Sequence, residues 1–196
     1  MLKLNSFENN IFFSSDIHGY HKNITYGTSN WDNKETSTRR FDNPVKMTDV
    51  IINNINNLVL PDDHLFLLGD LLFHKKQAKN YYNFINRFNC NNIYLLYGNH
   101  CSRENLKSAC NINSKIKFIG DYLEIIVDKQ MLCLFHYPIA KWNNRHKTSW
   151  HLFGHEHGTY DNCEKSIDVG IDNYYKLFGE YKPFSWEEIK EKINNN

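Results

Sequence analysis

Five short apolar runs in this chain each end on residues that ligate metals, and this repetition constrains the fold more than any other feature. Leu65-Phe66-Leu67-Leu68 leads into Gly69-Asp70, and Ile11-Phe12-Phe13 leads through two serines into Asp16-Ile17-His18. Ile93-Tyr94-Leu95-Leu96-Tyr97 leads into Gly98-Asn99-His100, Met131-Leu132-Cys133-Leu134-Phe135 ends on His136, and Trp150-His151-Leu152-Phe153 ends on Gly154-His155-Glu156-His157. Short apolar runs bounded by glycine or polar residues read as strands buried on both faces. In layered α/β folds such strands deliver functional groups beyond the carboxyl edge of the sheet. Strands lying side by side would bring these Asp, His and Asn side chains to one rim.

The segments between the runs alternate accordingly. Asn43-Pro44 supplies an N-cap and a proline at the first helical position, and Met47, Ile51, Ile55 and Leu58 then mark one apolar helix face. Ala78, Tyr81, Ile85 and Phe88 mark a second helix, so the first half reads as strand, helix, strand, helix, strand, the pattern of a parallel sheet. Past Gly98 the pattern changes. A short helix over Arg103 to Cys110 precedes strands at Ile116 to Ile119, Tyr122 to Val127 and Met131 to Phe135, the last two joined by a turn at Asp128-Lys129-Gln130. Trp150 to Phe153 and Ile167 to Ile171 add strands, and Ser185-Trp186-Glu187-Glu188 is a capping box that opens a terminal helix through Ile193. Gly19 to Asp42 is polar and aperiodic, and reads as a long loop that leaves directly from Asp16 and His18, placed as a substrate-side flap. The expectation is two mixed β-sheets packed together and flanked by helices, a four-layer α/β/β/α sandwich.

At 196 residues the chain fits one domain, residues 1–196, with no linker. Lys+Arg total 23 against 22 Asp+Glu, so no overall basic field argues for nucleic acid or an anionic membrane. Five cysteines, an odd number without CxxC spacing, fit a reduced compartment. With no signal-peptide core or membrane-length apolar stretch, the expected location is cytoplasmic.

Taken singly the motifs are weak, because Asp-x-His and Gly-Asp recur by chance and a lone histidine is ordinarily structural. Taken together they are not. Histidines, aspartates and an asparagine crowded at the ends of buried strands are costly unless a cation compensates them. Mixed carboxylate, imidazole and amide donors suit Mn²⁺, Fe, Zn²⁺ or Mg²⁺, and the lack of cysteine donors argues against a structural zinc site. One ion does not need so many donors; two ions sharing a carboxylate do.

In these five ordered motifs, Asp16-Ile17-His18, Gly69-Asp70, Gly98-Asn99-His100, His136 and Gly154-His155-Glu156-His157, the sequence resembles the calcineurin-like metallophosphoesterases over residues 11 to 172. Ile167-Asp168-Val169-Gly170-Ile171-Asp172 and Pro183-Phe184-Ser185 also resemble the compact bacterial and phage members. The resemblance implies a β-sandwich flanked by helices and a hydrolase acting on phosphate esters through a metal-bridging hydroxide. It implies that Asp16, His18 and His157 hold one ion, that Asn99, His136 and His155 hold the other, and that Asp70 bridges them. His100 would act beside the metals, stabilising the transition state or protonating the leaving oxygen.

The family commonly follows Gly-Asn-His with an acidic residue that orients this histidine; here the position is Cys101, and a thiol is a poor substitute. Glu104 is the nearest replacement carboxylate in sequence. Arg39, Arg40, Arg103 and Arg145 are candidates to grip phosphate oxygens through the planar guanidinium. His74 follows Asp70 closely, while His21, His64, His146 and His151 read as structural or exposed. Phe41, Trp142 and Trp150 read as core. Leu71-Leu72-Phe73 after Asp70 lacks the Asp-Arg pair of phosphoprotein phosphatases, so the expected substrate is a small phosphodiester or nucleotide. The alternatives are a nuclease and a non-catalytic metal-binding scaffold of the same fold.

Overall fold

The computed structural model describes residues 1–25, 38–73, 77–160 and 164–195. Half of the expected flap, residues 26–37, together with His74 and Cys163, lies outside them. Among the described residues ten strands form two five-stranded mixed sheets, an α/β sandwich as expected from the sequence.

The first sheet runs in the order β10 (Phe184–Ser185), β2 (Ile11–Ser14), β3 (His64–Leu67), β4 (Asn92–Leu96) and β5 (Ile116–Gly120). β2 to β5 are parallel neighbours, and β10 pairs antiparallel to β2. Alternation along these strands separates two cores. Phe12, Leu65, Leu67, Ile93 and Leu95 face helices α1 (Pro44–Leu58), α2 (Ala78–Ile85) and α3 (Arg103–Asn111), meeting Met47, Ile51, Ile55, Tyr81, Ile85 and Leu106. Ile11, Phe13, Phe66, Leu68, Tyr94 and Leu96 face the second sheet. There the partners in register, Phe13, Phe66 and Tyr94, stack in a row with ring centroids 5.0 and 4.3 Å apart. Full burial of a side chain of this size contributes about 1.5–3 kcal/mol.

The second sheet runs β1 (Leu2–Leu4), β6 (Tyr122–Val127), β7 (Gln130–Phe135), β8 (Trp150–Phe153) and β9 (Ser166–Asp168). Ile125, Val127, Leu132, Leu134, Leu152 and Ile167 supply its half of the core between the sheets. On its outer face buried Trp142 packs 5.2 Å from His151, whose Nδ1 donates to the Cys133 carbonyl at 2.9 Å, so His151 is structural. Helix α5 (Trp186–Asn194) opens on the Ser185–Glu188 capping box and seals the core with Trp186, Ile189 and Ile193.

Three expectations change. The β6–β7 turn is the pair Asp128-Lys129, both at positive φ, and Gln130 already belongs to β7. Strand β9 stops at Asp168, and Ile171 opens helix α4 (Ile171–Phe178) instead of closing a strand. Leu58, expected on the buried face of α1, is exposed, and Ile52 is buried in its place. No helix among the described residues is long and apolar enough to cross a membrane. Cys90, Cys101, Cys110 and Cys133 are free thiols.

Candidate metal centre

Beyond the carboxyl ends of β2 and β3 the two strands stay paired: Asp16 N–H donates to Gly69 O at 3.2 Å, and His18 N–H to Asp70 O at 2.9 Å. These contacts hold Asp16, His18 and Asp70 in the left-handed region, with φ of 56°, 49° and 48°; His155 and His157 join them at 73° and 50°. Each such non-glycine conformation costs about 1–3 kcal/mol and persists only where the surroundings over-determine it. The glycines of the motifs supply the necessary closeness. A Cβ at Gly98 would fall on the Asp70 carboxylate, one at Gly154 on Ser15 and Asp16, and one at Gly69 on the His136 ring.

Asp16, His18 and His157 form one group of donor atoms, and Asp16, Asp70 and His136 form another, all within 4.8 Å of one another in each. Asp16 is common to both. Asp70 Oδ2 nevertheless lies between the two sides, 3.8 Å from His18 Nε2 and 3.4 Å from His136 Nε2. Asn99 Oδ1 closes the second side, 2.9 Å from His136 Nε2 and 3.1 Å from His155 Nδ1. His155 itself is anchored by its backbone N–H on Asp16 Oδ2 at 2.8 Å.

The donor chemistry fits a cation. The His136 Nδ1–H is committed to the Leu68 carbonyl at 2.7 Å, which turns the Nε2 lone pair toward the acceptor oxygens of Asn99 and Asp70. Lone pairs facing one another repel unless a proton or a metal ion sits between them. Asp16 is buried with Oδ1 lacking any hydrogen-bond partner among the described residues, although a buried carboxylate normally saturates its acceptors.

The electrostatics agree. Burial opposes ionisation of Asp70, but hydrogen bonding to His136 and the nearby His18 hold its carboxyl down at about 2. Burial, with the His157 charge in support, pushes His18 well below the usual imidazole range and keeps it neutral, the form that binds a metal. Burial also lowers His155. His136 moves the other way: burial disfavours its charge, yet the Asp70 hydrogen bond and the Asp16 charge raise its pKa. Thus without metal a proton on His136 offsets part of the local negative charge.

His100 sits at the rim, half-buried, with its backbone N–H on Asp70 Oδ1 at 2.9 Å and its ring 5.4 Å from His18 and 5.1 Å from Phe73. Among the described residues its ring takes no hydrogen bond. Cys101 turns inward, its Sγ accepting from Gly98 N–H at 3.4 Å and lying 3.9 Å from Asp70 Oδ1, and burial pushes its thiol up to about 11. It remains protonated near neutrality and does not orient His100. Glu104 is exposed on α3. Tyr137, unflagged in the sequence, stands 4.6 Å from the His155 ring.

Of the four arginines, Arg39 is not available to grip a phosphate. Arg39 is fully buried, its Nε on Asp172 Oδ1 at 2.6 Å and its remaining N–H groups on Asp172 Oδ2 and on the Asp16 and Ile17 carbonyls. No face of its guanidinium is left for a substrate. Arg103 pairs with Asp121 and lies over the Tyr97 ring. Arg145 lies over Trp142 beside the amino-terminal end of β8, away from the metal ligands at the strand's other end. Arg40 is exposed at the stem of the loop.

Two aspartates that sequence reasoning passed over lie behind the ligands. Asp172 Oδ2 accepts from His157 Nδ1–H at 2.6 Å, and Asp168 accepts from the backbone N–H groups of Gly158 and Gly170, each at 2.7 Å. Burial pushes Asp168 up to about 7, with the Asp16 charge adding to the effect. Both lie in Ile167–Asp172, where an Asp in an apolar run was the available signal.

No family model matches this chain. An uncharacterised protein of Methanocaldococcus jannaschii is 26% identical over 190 residues, spanning 93% of this chain and 90% of that one. The crystal structure of a protein of unknown function from Aquifex aeolicus superposes with a TM-score of 0.61 at 21% identity, covering 94% of this chain and 100% of that one, and so shares the fold. YfcE, a phosphoesterase from E. coli, aligns with a TM-score of 0.44 at 16% identity over 82% of this chain and 78% of that one.

Proposed function

We propose that this chain is a metal-dependent hydrolase of the calcineurin-like metallophosphoesterase type, cleaving small phosphodiesters or nucleotides. One observation carries the reading: Asp16, His18, Asp70, His136 and His157 converge in two overlapping donor groups, with Asn99 and His155 against His136, and in their midst a buried Asp16 oxygen has no hydrogen-bond partner among the described residues. Asp16, His18 and His157 would hold one ion and Asn99, His136 and His155 the other, with Asp70, and by geometry Asp16, between them. When bound, divalent ions would supply Lewis acidity toward phosphate oxygens and a nucleophile at neutral pH.

The chain's own groups do the rest. The left-handed turns at Asp16, His18 and Asp70 fix the donors before substrate arrives. His100, at the exposed edge and not held by an acidic neighbour, is the group positioned to protonate the departing oxygen as water adds to phosphorus. Phe73 and Tyr137 flank the rim and favour a substrate with a flat or apolar leaving group. A long nucleic acid draws no support from the arginines, since Arg39 is consumed inside the protein.

The test is hydrolysis of bis(p-nitrophenyl) phosphate and p-nitrophenyl phosphate by the purified chain with Mn²⁺, beside Asp70→Asn. Turnover that depends on metal and falls in the variant by more than the roughly 10–100-fold typical of residues behind the ligands supports the reading. Intact metal binding without turnover of either ester would move the protein to the scaffold alternative.

A further inference from the structure

The Arg39–Asp172 ion pair joins parts of the chain 133 residues apart and is wholly buried. Its hydrogen bonds are unusually complete. Asp172 Oδ1 accepts from Arg39 Nε and the Thr38 hydroxyl, and Oδ2 from Arg39 Nη2 at 2.9 Å and His157 Nδ1 at 2.6 Å, so all four acceptor directions of the carboxylate are used. Arg39 in turn spends Nη2 on the Asp16 carbonyl at 2.5 Å and Nη1 on the Ile17 carbonyl at 3.1 Å. One pair therefore touches the backbone of Asp16-Ile17-His18 and the ring of His157.

We infer that Arg39 and Asp172 are positioning residues for the two metal subsites in different ways, Asp172 acting through His157 on the one made by Asp16, His18 and His157, and Arg39 acting through the turn of Asp16, which belongs to both donor groups; this rests on the metal-centre reading above. Asp172 fixes the His157 tautomer, because a proton held on Nδ1 leaves Nε2 as the free donor atom. Outer carboxylates of this sort orient ligating histidines and raise their basicity. Arg39 adds a second function by pinning the left-handed turn that carries Asp16 and His18. Among the described residues Asn99, His136 and His155 have no hydrogen bond to the pair; His136 is held by the Leu68 carbonyl, His155 by its backbone N–H on Asp16 Oδ2, and Asn99 Oδ1 lies against both rings. An ion pair that merely tied the start of α4 to the loop stem would not discriminate between subsites.

The experiment is a Mn²⁺ titration by equilibrium dialysis of wild type, Asp172→Asn and Arg39→Lys, with thermal melts confirming that each is folded. Wild type should bind two ions. Asp172→Asn should weaken one binding event by about 10–100-fold and leave the other within about twofold. Arg39→Lys, which keeps the charge but loses the fork, should weaken both events by a smaller factor, because the Asp16 turn that it pins serves both donor groups. Equal weakening of both events in Asp172→Asn, or no change in either variant, would overturn the inference while leaving the metal centre standing. A wild-type protein that binds no divalent ion would overturn both, and so is told apart. Should Asp172→Asn not fold, Arg39→Lys decides the matter: unchanged binding of both ions would overturn the inference.

Discussion

The two sides of the candidate metal centre are built differently. On one side Asp16 and His18 are buried at strand ends, and His157 is hydrogen-bonded to a buried carboxylate that an arginine saturates. On the other, Asn99 is exposed and His155 half-buried, and the Asn99 amide oxygen is shared between two imidazoles. The first side is rigid before any ion arrives. The second is held by the Asn99 oxygen from a loop, the Leu68 carbonyl behind His136 and the Asp16 carboxylate behind His155, with His136 as its only fully buried member. Rigidity at one subsite and openness at the other suit a reaction in which substrate must reach the ions from the exposed side.

The largest test of this contrast is Asp16→Asn. Because Asp16 belongs to both donor groups and its Oδ2 also anchors His155, both metal affinities should fall by more than about 100-fold, beyond the loss usual for an outer-layer residue. Retention of one full-strength site in a dialysis titration would break the idea of a shared carboxylate. Asn99→Ala should act on the open side alone, weakening one ion and sparing the other. Its exposure predicts a change in unfolding free energy within about 0.5 kcal/mol, measured by urea denaturation. A larger loss would show that this loop is part of the scaffold after all.

The smallest effect concerns acid stability away from the site, needed to separate the centre's own pH response from that of the fold. Asp128 accepts from the backbone and hydroxyl of Ser6 and from Trp186 Nε1. Burial opposes its ionisation, but the Ser6 hydrogen bonds outweigh it and hold the carboxyl below its usual range. A depressed folded-state pKa means that the unfolded chain binds more protons, so this stabilisation is fully present above the unfolded value, about 3.9, and is lost as pH falls through the folded one. Asp128→Asn should lie below wild type in melting temperature at pH 6 and converge with it near pH 2. A gap independent of pH would assign the effect to shape instead of charge.

Local pattern was enough for the elements that bury a regular face. The spacing of Met47, Ile51 and Ile55 set α1, and short continuous apolar runs set β2, β3 and β4, because a helix buries one face while a strand inside a parallel sheet buries both. It failed where a partner far away decides. β1 and β10 are three and two residues long and exist because β6 and β2 offer edges to pair with. Ile171 continues an apolar run and so reads as strand, but it opens α4 after Gly170 turns beneath Asp168 Oδ1. Arg39 sits in a polar loop and reads as a candidate phosphate grip, yet Asp172 draws it fully inside.

By itself, then, the sequence determined the alternating α/β layout and the identity of the converging donors, since strand ends in such a layout all meet at one edge. The tertiary structure decided which donors group together, that Asp16 as well as Asp70 lies between them, that Cys101 faces Asp70 instead of His100, and that Arg39 serves the centre from behind. The physical reason is range. Periodicity and turn chemistry act within a few residues, whereas a buried charge is placed by whichever partner, however distant in the chain, can saturate its hydrogen bonds.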